Sequence, residues 1–179
     1  TDSTTTYTYY ETNIGPHKVY GELKLASTTS KTVGTDIWGS TYTTDSTTEY
    51  IIINNRALPS VVTSRTVGEN LFGERYTTDS TTTYTYYETN IGPHKVYGEL
   101  KLASTTSKTV GTDIWGSTYT TDSTTEYIII NNRALPSVVT SHTVGENLFG
   151  ERYTTDSTTT YTYYETNIGP HKVYGELKL

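Results

Sequence analysis

A long tandem repeat constrains this chain more than any other feature of its sequence. Thr1-Asp2-Ser3 returns as Thr78-Asp79-Ser80 and again as Thr155-Asp156-Ser157, so the numbering advances by 77 at each return. The chain therefore holds two full periods and, from Thr155 onward, the beginning of a third. The two full periods differ at one position, where the second copy has His142 in place of Arg65. Near-identity of this kind is typical of recent tandem duplication and predicts that one small supersecondary unit is repeated.

Each period divides into two related parts. Positions 32–65 form a short half, of length 34, and positions 66–108 form a long half, of length 43. Both halves begin with Thr-Val-Gly, place an aromatic residue before a glycine, and continue to Tyr-Thr-Thr-Asp-Ser-Thr-Thr. We therefore divide the chain into a partial repeat (1–31), a complete repeat (32–108) and a second repeat that is truncated at its C-terminal end (109–179).

The composition favours folded β structure. Threonine and serine make up about a third of the chain, and there are 18 Tyr against two Phe and two Trp. Branched and aromatic side chains suit a pleated, half-buried surface, and disordered low-complexity chains usually lack them. A mucin-like stalk would combine Ser and Thr with abundant Pro and no hydrophobic alternation. The threonine-rich composition therefore indicates strands.

Charge, cysteine content and hydropathy exclude several classes of protein. A net charge of −6 and an isoelectric point near 5.1 argue against a surface that binds nucleic acid. The chain has no cysteine, so it has neither a disulfide framework nor a thiolate metal site. No apolar run approaches the roughly 18 residues of a membrane span. Because the sequence lacks an initiator Met and a signal segment and stops within a repeat, we expect it to be a segment of a longer, processed protein.

A nearly palindromic segment predicts a hairpin in every half. The sequence YTTDSTTEY, at positions 42–50, is almost symmetric about Ser46. Asp and Ser favour turns because their side chains bond to nearby backbone groups, so we expect a loop at the centre of this segment. Tyr42 would then face Tyr50 across two strands. The same symmetry predicts the pairs Tyr76/Tyr84, Tyr119/Tyr127 and Tyr153/Tyr161.

Other patterns complete the predicted fold. Residues 19–25 alternate strictly, with Val19, Gly21, Leu23 and Leu25 on one face, which predicts a half-buried strand. Asn54-Asn55 ends the apolar strand 50–53, and Gly15-Pro16 sets a turn. Six or seven strands per period fit tandem antiparallel β-sandwich repeats of immunoglobulin type. A β-solenoid is the rival architecture, although its coils should be equal and the unequal halves of each period fit it poorly.

The sequence offers weak candidates for chemistry. Three of the four histidines (His17, His94 and His171) occupy the same position beside Gly-Pro, and no further ligand lies at a metal-binding spacing from them. The Asp-Ser-Thr segments lack the alternating oxygen ligands of a calcium loop. Ser and His never occur in a nucleophile-elbow pattern. We therefore predict a protein that is not an enzyme and that uses no metal and no cofactor.

Trp38 and Trp115 raise the question of carbohydrate binding. Exposed aromatic rings can stack on sugar rings, and such a role would make the chain a tandem carbohydrate-binding module. Phe72 and Phe149 occupy the equivalent positions in the long halves. Because that substitution preserves bulk, we favour the interpretation that all four are core aromatics and keep sugar stacking as the alternative.

One apolar run is a candidate for pairing between chains. The segment Tyr50, Ile51, Ile52, Ile53 and its copy Tyr127, Ile128, Ile129, Ile130 combine high β-propensity with no internal charge. Such segments pair between chains when they are exposed. The alternative, which we favour, is a buried central strand.

The order of motifs resembles the tandem repeats of fungal cell-wall adhesins of the flocculin and agglutinin type. The resemblance rests on IWGSTYTTDSTTEYIII (37–53), LPSVV (58–62), LFGERYTTDSTTTYTYY (71–87) and their copies. The chain departs from that family in placing Trp38 directly before Gly39 and in carrying the acidic strand VYGELKL. The resemblance implies a secreted, O-mannosylated, wall-anchored stalk. No Asn lies in an Asn-X-Ser/Thr acceptor site, so any glycosylation would fall on threonine and serine.

We therefore expect an extracellular or cell-wall structural repeat that acts as a passive stalk or fibre in adhesion. Its partners would be copies of itself and polymers of the cell surface. The first alternative is a subunit of a self-assembling extracellular filament, bacterial or archaeal, in which β-strands pair between subunits. The tandem carbohydrate-binding module is the second alternative, and a Gram-positive stalk with Lys–Asn cross-links is the third.

Overall fold

A computed structural model describes most of the chain. The backbone is described for residues 1–14, 16–53, 55–91, 94–130, 132–168 and 171–178, and the side chains for the same residues apart from 18–20, 88–91, 94–97 and 165–178. No helix occurs in this part of the chain. The all-β class predicted from composition is confirmed.

Nine strands form one antiparallel sheet in which every strand lies beside its neighbours in sequence. The strands are β1 (Asp2–Ile14), β2 (His17–Thr35), β3 (Thr41–Ile53), β4 (Arg56–Glu69), β5 (Arg75–Ile91), β6 (His94–Thr112), β7 (Thr118–Ile130), β8 (Arg133–Glu146) and β9 (Arg152–Thr160). A separate two-stranded sheet consists of β10 (Thr162–Ile168) and β11 (His171–Lys178). The tandem immunoglobulin-like sandwich is not confirmed, because β1 to β9 lie in a single sheet.

The chain reverses at places other than the predicted hairpin loops. β3 runs without interruption through Asp45 and Ser46, and Tyr42 lies opposite Gly34 and Gly68, not Tyr50. The hairpin prediction is therefore wrong here, and β5, β7 and β9 likewise run through the same motif, which contradicts the equivalent tyrosine pairs.

Cross-strand partners explain why the Asp-Ser pair stays extended. The Asp45 Cα lies opposite that of Lys31 on one neighbouring strand and that of Arg65 on the other. Opposite charges facing each other across a ladder stabilise strand pairing. These long-range partners outweigh the local preference of Asp and Ser for turns.

The turns lie at both ends of the strands. At one end, short connecting segments join β2 to β3, β4 to β5, β6 to β7 and β8 to β9. At the other end, Asn55 and Asn132 lie in tight turns with positive φ angles of 58° and 60°. The predicted end of the apolar strand before Asn54-Asn55 is confirmed, since β3 stops at Ile53. Gly15 lies outside the described residues, and Pro16 lies between β1 and β2 as expected.

Two pairs of strands extend beyond this second end of the sheet. β2 pairs with β3 only from Ser27 onward, whereas its pairing with β1 continues to His17. Register shifts on β1 around Tyr9 mark the point where the pair leaves the rest of the sheet, and β5 with β6 does the same around Tyr86. The predicted strand over residues 19–25 is confirmed as part of β2. Its predicted alternation is wrong at Leu25, because the register shift between Leu23 and Leu25 leaves Leu23 buried and Leu25 exposed.

The buried core is small and lies close to that end. Among the described side chains, the buried apolar residues are Leu23, Ala26, Ile53, Leu100, Ala103 and Ile130. Asn55 closes this region, because its Oδ1 accepts a hydrogen bond of 2.6 Å from the Leu23 amide, and Asn132 does the same for Leu100. A single sheet leaves both faces open to water over most of its length, and this explains the scarcity of buried residues.

One sequence period corresponds to four strands. At a spacing of about 4.8 Å between strands, each period therefore extends the sheet by about 19 Å perpendicular to the strands, whereas a strand of 13 residues is about 43 Å long. The sequence boundaries at 31/32 and 108/109 fall inside β2 and β6. The structural repeat thus runs from strand to strand with no linker between units.

Candidate functional site

The first candidate surface is the row of turns that joins β2 to β3, β4 to β5, β6 to β7 and β8 to β9. In the first of these turns the Asp36 carboxylate accepts hydrogen bonds from the Trp38 and Ser40 amides at 2.8 and 2.9 Å. Gly39 has a φ of +89°, a conformation that favours glycine. Asn70 takes the place of Asp36 in the next turn, where its Oδ1 accepts from the Phe72 and Glu74 amides.

Hydrogen bonding sets the acidity of the aspartates in these turns. Partial desolvation raises the pKa of Asp36, but the hydrogen bonds from Ser40, Trp38 and Gly39 together lower the pKa below its ordinary value. Asp113 in the second copy has the same partners and the same direction of shift. The same hydrogen bonds from the Trp38 and Ser40 amides fix the backbone of the turn.

Each turn presents an aliphatic and an aromatic side chain to solvent. Trp38 and Trp115 are each 70% exposed, Phe72 is 74% exposed and Phe149 is 86% exposed. The interpretation of these residues as core aromatics is therefore wrong. It failed because a single sheet has no second layer to cover its turns. We call the exposed pairs Ile37/Trp38, Leu71/Phe72, Ile114/Trp115 and Leu148/Phe149 the apolar tips.

The apolar tips form a line along the end of the sheet where these turns lie. Neighbouring tips are two strands apart, or about 10 Å at the usual strand spacing. Tips within one repeat lie close together, since a Cβ placed on Gly39 would be 3.5 Å from the Leu71 Cδ1 atom. Large apolar side chains at regular intervals on an exposed edge are a candidate contact surface.

The second candidate surface is a row of alternating charge across the middle of the sheet. Every strand from β1 to β9 places an ionisable residue at the same level, in the order Asp2, Lys31, Asp45, Arg65, Asp79, Lys108, Asp122, His142 and Asp156. We call this row the charge ladder. Cations approach the acid on the following strand, with distances of 3.6 Å for Lys31–Asp45 and 3.3 Å for Arg65–Asp79.

His142 occupies the Arg65 position of the ladder in the second copy. Its Nδ1 lies 2.6 Å from Oδ1 of Asp156. An ionised carboxylate only accepts, so the Nδ1–H of the imidazole is the donor of this hydrogen bond. The imidazole carries charge only when both ring nitrogens are protonated, whereas the guanidinium of Arg65 is always charged. No group of three or more potential metal ligands occurs among the described residues.

Threonines share the face of the charge ladder, and together they line open grooves. One groove of about 650 Å³ is lined by Lys31, Asp45, Arg65 and Asp79 and by threonines of the neighbouring row. A second groove of about 410 Å³ lies over the equivalent part of the next repeat and includes His142 and Asp156. Both grooves are wide open to solvent, so their charged side chains are in contact with water.

The opposite face carries rows of hydroxyl groups that bond to each other. Between β2 and β3, the Oγ atoms of Ser30 and Ser46 are 2.7 Å apart, and those of Ser107 and Ser123 are the same distance apart between β6 and β7. At the next interface, between β3 and β4, the Oγ1 atoms of Thr44 and Thr66 are 2.8 Å apart. Serine pairs and threonine pairs thus alternate from one strand interface to the next and fix the register on this face.

Tyrosines lie over glycines near the turn end of the sheet. A Cβ added to Gly68 would overlap the Tyr76 ring, and one added to Gly145 would overlap the Tyr153 ring. The same arrangement places Tyr42 over Gly34 and Tyr119 over Gly111. The Thr-Val-Gly motif that opens each half therefore provides room for a tyrosine from the following strand.

The apolar run predicted for pairing between chains lies inside the sheet. Residues 50–53 pair with Pro59 to Arg56 on β4 and are half-buried, with Ile53 buried at 6% exposure. Tyr127, Ile128, Ile129 and Ile130 occupy the same position on β7. Their pairing between chains stays a prediction, and the outer edges of β1 and β9 are the strand edges at the two ends of the nine-stranded sheet.

Comparison of this chain with protein-family models, with curated proteins and with solved structures finds no match. The described residues include no helix that is long and apolar enough to cross a membrane.

Proposed function

We propose that this chain is a non-enzymatic structural repeat of an extracellular surface protein, and that it acts as an extended stalk or fibre in adhesion. The observation that carries this proposal is the continuity of the sheet across the repeat boundary. β5 and β6 join one period to the next with the same strand pairing and the same charge ladder as the strands within a period. Such an array can be lengthened one repeat at a time without a new kind of contact.

The side-by-side arrangement of the repeats in the sheet predicts how much length each added period contributes. Because strands add side by side, each additional period lengthens the body by about 19 Å at the usual strand spacing. A row of separate sandwich domains would instead grow by roughly 30 Å for each domain, the length of a typical strand. An epitope carried at one end would move away from the surface in these small, equal steps.

The experiment compares this chain with versions that carry one and two further copies of residues 78–154. Small-angle X-ray scattering would give the maximum dimension of each protein, and display on a cell surface would give the height of an N-terminal epitope. We expect the epitope height to increase by about 19 Å per copy. The maximum dimension should increase by somewhat less, because it follows the diagonal of a sheet whose strands are about 43 Å long. A maximum dimension or an epitope height that stays constant as copies are added would overturn the spacer function.

The apolar tips favour a second candidate function, a tandem carbohydrate-binding module that contacts surface polymers. Trp38 and Trp115 are exposed and lie on a line with Phe72 and Phe149, so one extended polymer could contact several rings. Aromatic faces bind sugar C–H groups through their apolar surface and negative quadrupole.

Sedimentation with insoluble chitin and insoluble β-glucan tests this second function. We expect Trp38→Ala/Trp115→Ala to lose most of the bound fraction, because it removes two of the four rings. Tyr10→Ala is the matched control, since Tyr10 is a 58% exposed aromatic residue away from the tips. Equal binding by the double variant and the control would exclude the tips as a sugar-binding surface.

A further inference from the structure

The four turns that carry the apolar tips share one backbone conformation. In each turn the first residue donates its amide to a carbonyl four positions on, as Asp36 does to Ser40 at 2.9 Å and Asn70 does to Glu74 at 3.0 Å. The glycine at the fourth position has a φ between 80° and 89° in all four turns. The strands that enter the turns, β2, β4, β6 and β8, run in one direction. The four aromatic side chains therefore leave the end of the sheet in the same way.

Neighbouring tips lie against each other within a repeat and between repeats. Within a repeat, the Cδ1 atom of Leu71 lies over Gly39 of the preceding turn. Between repeats, the comparison of two isoleucines is informative: Ile37, with a tip on one side, is 90% exposed, whereas Ile114, with a tip on each side, is 45% exposed. The tip that precedes Ile114 in the row is the one that carries Phe72. The tips therefore form a continuous apolar row that has one aromatic ring about every 10 Å.

The charges beside this row favour an uncharged ligand. Arg75 and Arg152 directly follow the turns of the long halves, and they are paired with Glu69 and Glu146 at 3.1 and 2.8 Å. The turns themselves carry acidic side chains, Asp36 among them. An anionic polymer would therefore meet carboxylates, which repel it, and cations that are already paired. The apolar rings suit the C–H groups of a neutral sugar.

The spacing of the rings selects the linkage of the sugar polymer. In an extended β-1,4-linked chain, successive sugars are rotated by half a turn about the chain axis, so every second sugar presents the same face. The length of this disaccharide repeat is close to two strand spacings, or about 10 Å. Chains with β-1,3 or α-1,4 linkages wind into helices, and their sugars at that interval face in different directions. A β-1,4-linked chain along the row can therefore stack alternate sugars on successive rings.

The aliphatic member of each tip favours chitin over cellulose. Ile37, Leu71, Ile114 and Leu148 all expose apolar surface beside the rings. Each sugar of chitin carries an acetamide group that ends in a methyl group, whereas cellulose has a hydroxyl group at the same position. Contact with an aliphatic side chain favourably removes the methyl group from water. A hydroxyl group in its place would lose hydrogen bonds to water without gaining others.

We propose that the row of apolar tips binds an extended chitin chain that runs across the strands, with alternate sugars stacked on Trp38, Phe72, Trp115 and Phe149. This inference rests on the second candidate function, carbohydrate binding, and names the polymer and its register on the protein. Because the turns are fixed to the sheet, the rings are held at the spacing of the ligand before it binds. The affinity for a chitin oligosaccharide should therefore rise with the number of rings that it spans.

Intrinsic fluorescence tests the binding directly, because Trp38 and Trp115 are the two tryptophans of the chain. We expect titration of the whole chain with chitohexaose to shift the emission to shorter wavelength, since a stacked sugar removes exposed indole from water. Chitobiose spans one ring and chitohexaose spans three, so chitobiose should bind roughly 100-fold more weakly. Cellohexaose and laminarihexaose, the β-1,4- and β-1,3-linked glucose oligomers of the same length, should cause much smaller shifts at equal concentration.

A double variant tests the rings between the tryptophans. Phe72→Ala/Phe149→Ala keeps both fluorescent reporters and should bind chitohexaose roughly ten-fold more weakly, because the hexasaccharide loses one stacked ring. Leu25→Ala/Leu102→Ala is the matched control, since it removes one exposed apolar side chain per repeat away from the tips, and its affinity should equal that of the parent chain. Far-UV circular dichroism checks that both variants keep the fold. Equal affinities of the two double variants would overturn stacking on successive rings.

The saccharides separate failure of this inference from failure of carbohydrate binding itself. Equal affinity for chitobiose and chitohexaose would overturn the register of alternate sugars on successive rings. Cellohexaose binding as tightly as chitohexaose would overturn the choice of chitin, and laminarihexaose doing so would overturn the linkage, while carbohydrate binding at the tips would stand in both cases. The absence of a shift with every saccharide would overturn the inference, and sedimentation with the insoluble polymers would then decide separately whether the second candidate function survives.

Discussion

The TDSTTT segment of β5 and its copy in β1 have one sequence and two environments. In β5, four of its side chains (Thr78, Ser80, Thr81 and Thr82) are half-buried, whereas all are exposed in β1. β5 has a strand on each side, and β1 has one. The difference teaches that burial and partners in this protein are properties of position in the array, and that the interior of the sheet should be more sensitive to mutation than its edges.

The tyrosine–glycine contacts provide the strongest test of this comparison. Gly68→Ala places a Cβ against the ring of Tyr76, which lies on an interior strand, while Gly145→Ala places one against Tyr153 on the edge strand β9. We expect the interior change to lower the free energy of unfolding by about 1–3 kcal/mol, as overpacking does. The edge change should cost clearly less, because the Tyr153 ring can swing away. Urea denaturation measures both, and equal costs would break the comparison.

Charge reversal in the ladder should cause the next largest loss in the free energy of unfolding. Asp79→Lys places a cation between Arg65 and Lys108, and Asp2→Lys meets Lys31 alone. At about 0.2–1 kcal/mol for each like-charged pair, we expect the interior variant to lose roughly twice as much stability as the edge variant. The difference should shrink in high salt because all these side chains are solvent-exposed. A salt-independent loss would contradict the electrostatic explanation.

Substitution at the one position that differs between the copies should change the free energy of unfolding by a smaller amount. His142→Arg restores a permanent cation between Asp122 and Asp156, and we expect a gain within about 0.2–1 kcal/mol at neutral pH. Arg65→His should produce a loss of similar size. Thermal unfolding of both variants at low and high salt measures the change. Shifts in the same direction for the two substitutions would show that the ladder position is not the cause.

The turn aspartates should give the smallest effect, because the neighbouring strands also hold the chain there. The pKa of Asp36 is lowered in the fold by its hydrogen bonds despite partial desolvation. Its stabilising contribution is therefore fully present above the unfolded pKa and is lost as the pH falls below about 4. We expect Asp36→Asn/Asp113→Asn to unfold at a lower pH than the parent chain.

Asn70 and Asn147 serve as the precedent for that double variant, since their side-chain oxygens already make the same bonds in the other two turns. The midpoint of acid unfolding, followed by circular dichroism, measures the shift. Because an amide does not ionise in this range, an unchanged midpoint would mean that the turn carboxylates do not contribute to acid sensitivity.

Repetition and strand composition are readable from the sequence, and the positions of the turns are much harder to read. The strand over residues 19–25 and the end of β3 at Ile53 follow from local patterns, and both are confirmed, whereas the strict alternation fails at Leu25, which is 56% exposed beside buried Leu23 and Ala26. The Asp-Ser pair within β3 led to a wrong turn prediction because Asp45 is held by Lys31 and Arg65. These partners lie on other strands, outside a local window of sequence around Asp45. Likewise, the exposure of Trp38 could not be read locally, since it depends on the absence of a second layer over the turn.

A signal for the turns was nevertheless present in the charges. Trp38 lies midway in sequence between Lys31 and Asp45, and Phe72 lies midway between Arg65 and Asp79. Opposite charges placed symmetrically about a turn meet across an antiparallel pair. Together with the Asp36-to-Gly39 spacing and its counterpart at Asn70, this symmetry predicts the observed reversals.

The direction of the backbone hydrogen bonds determines how the array responds to load. Since these bonds run along the direction in which repeats are added, tension between the two ends of the array would peel strands away one after another and would not shear a whole layer at once. A period that occupies about 19 Å in the sheet could then extend to roughly 250 Å as free chain. The array would therefore lengthen gradually under tension, and its strands could pair again when the tension is removed.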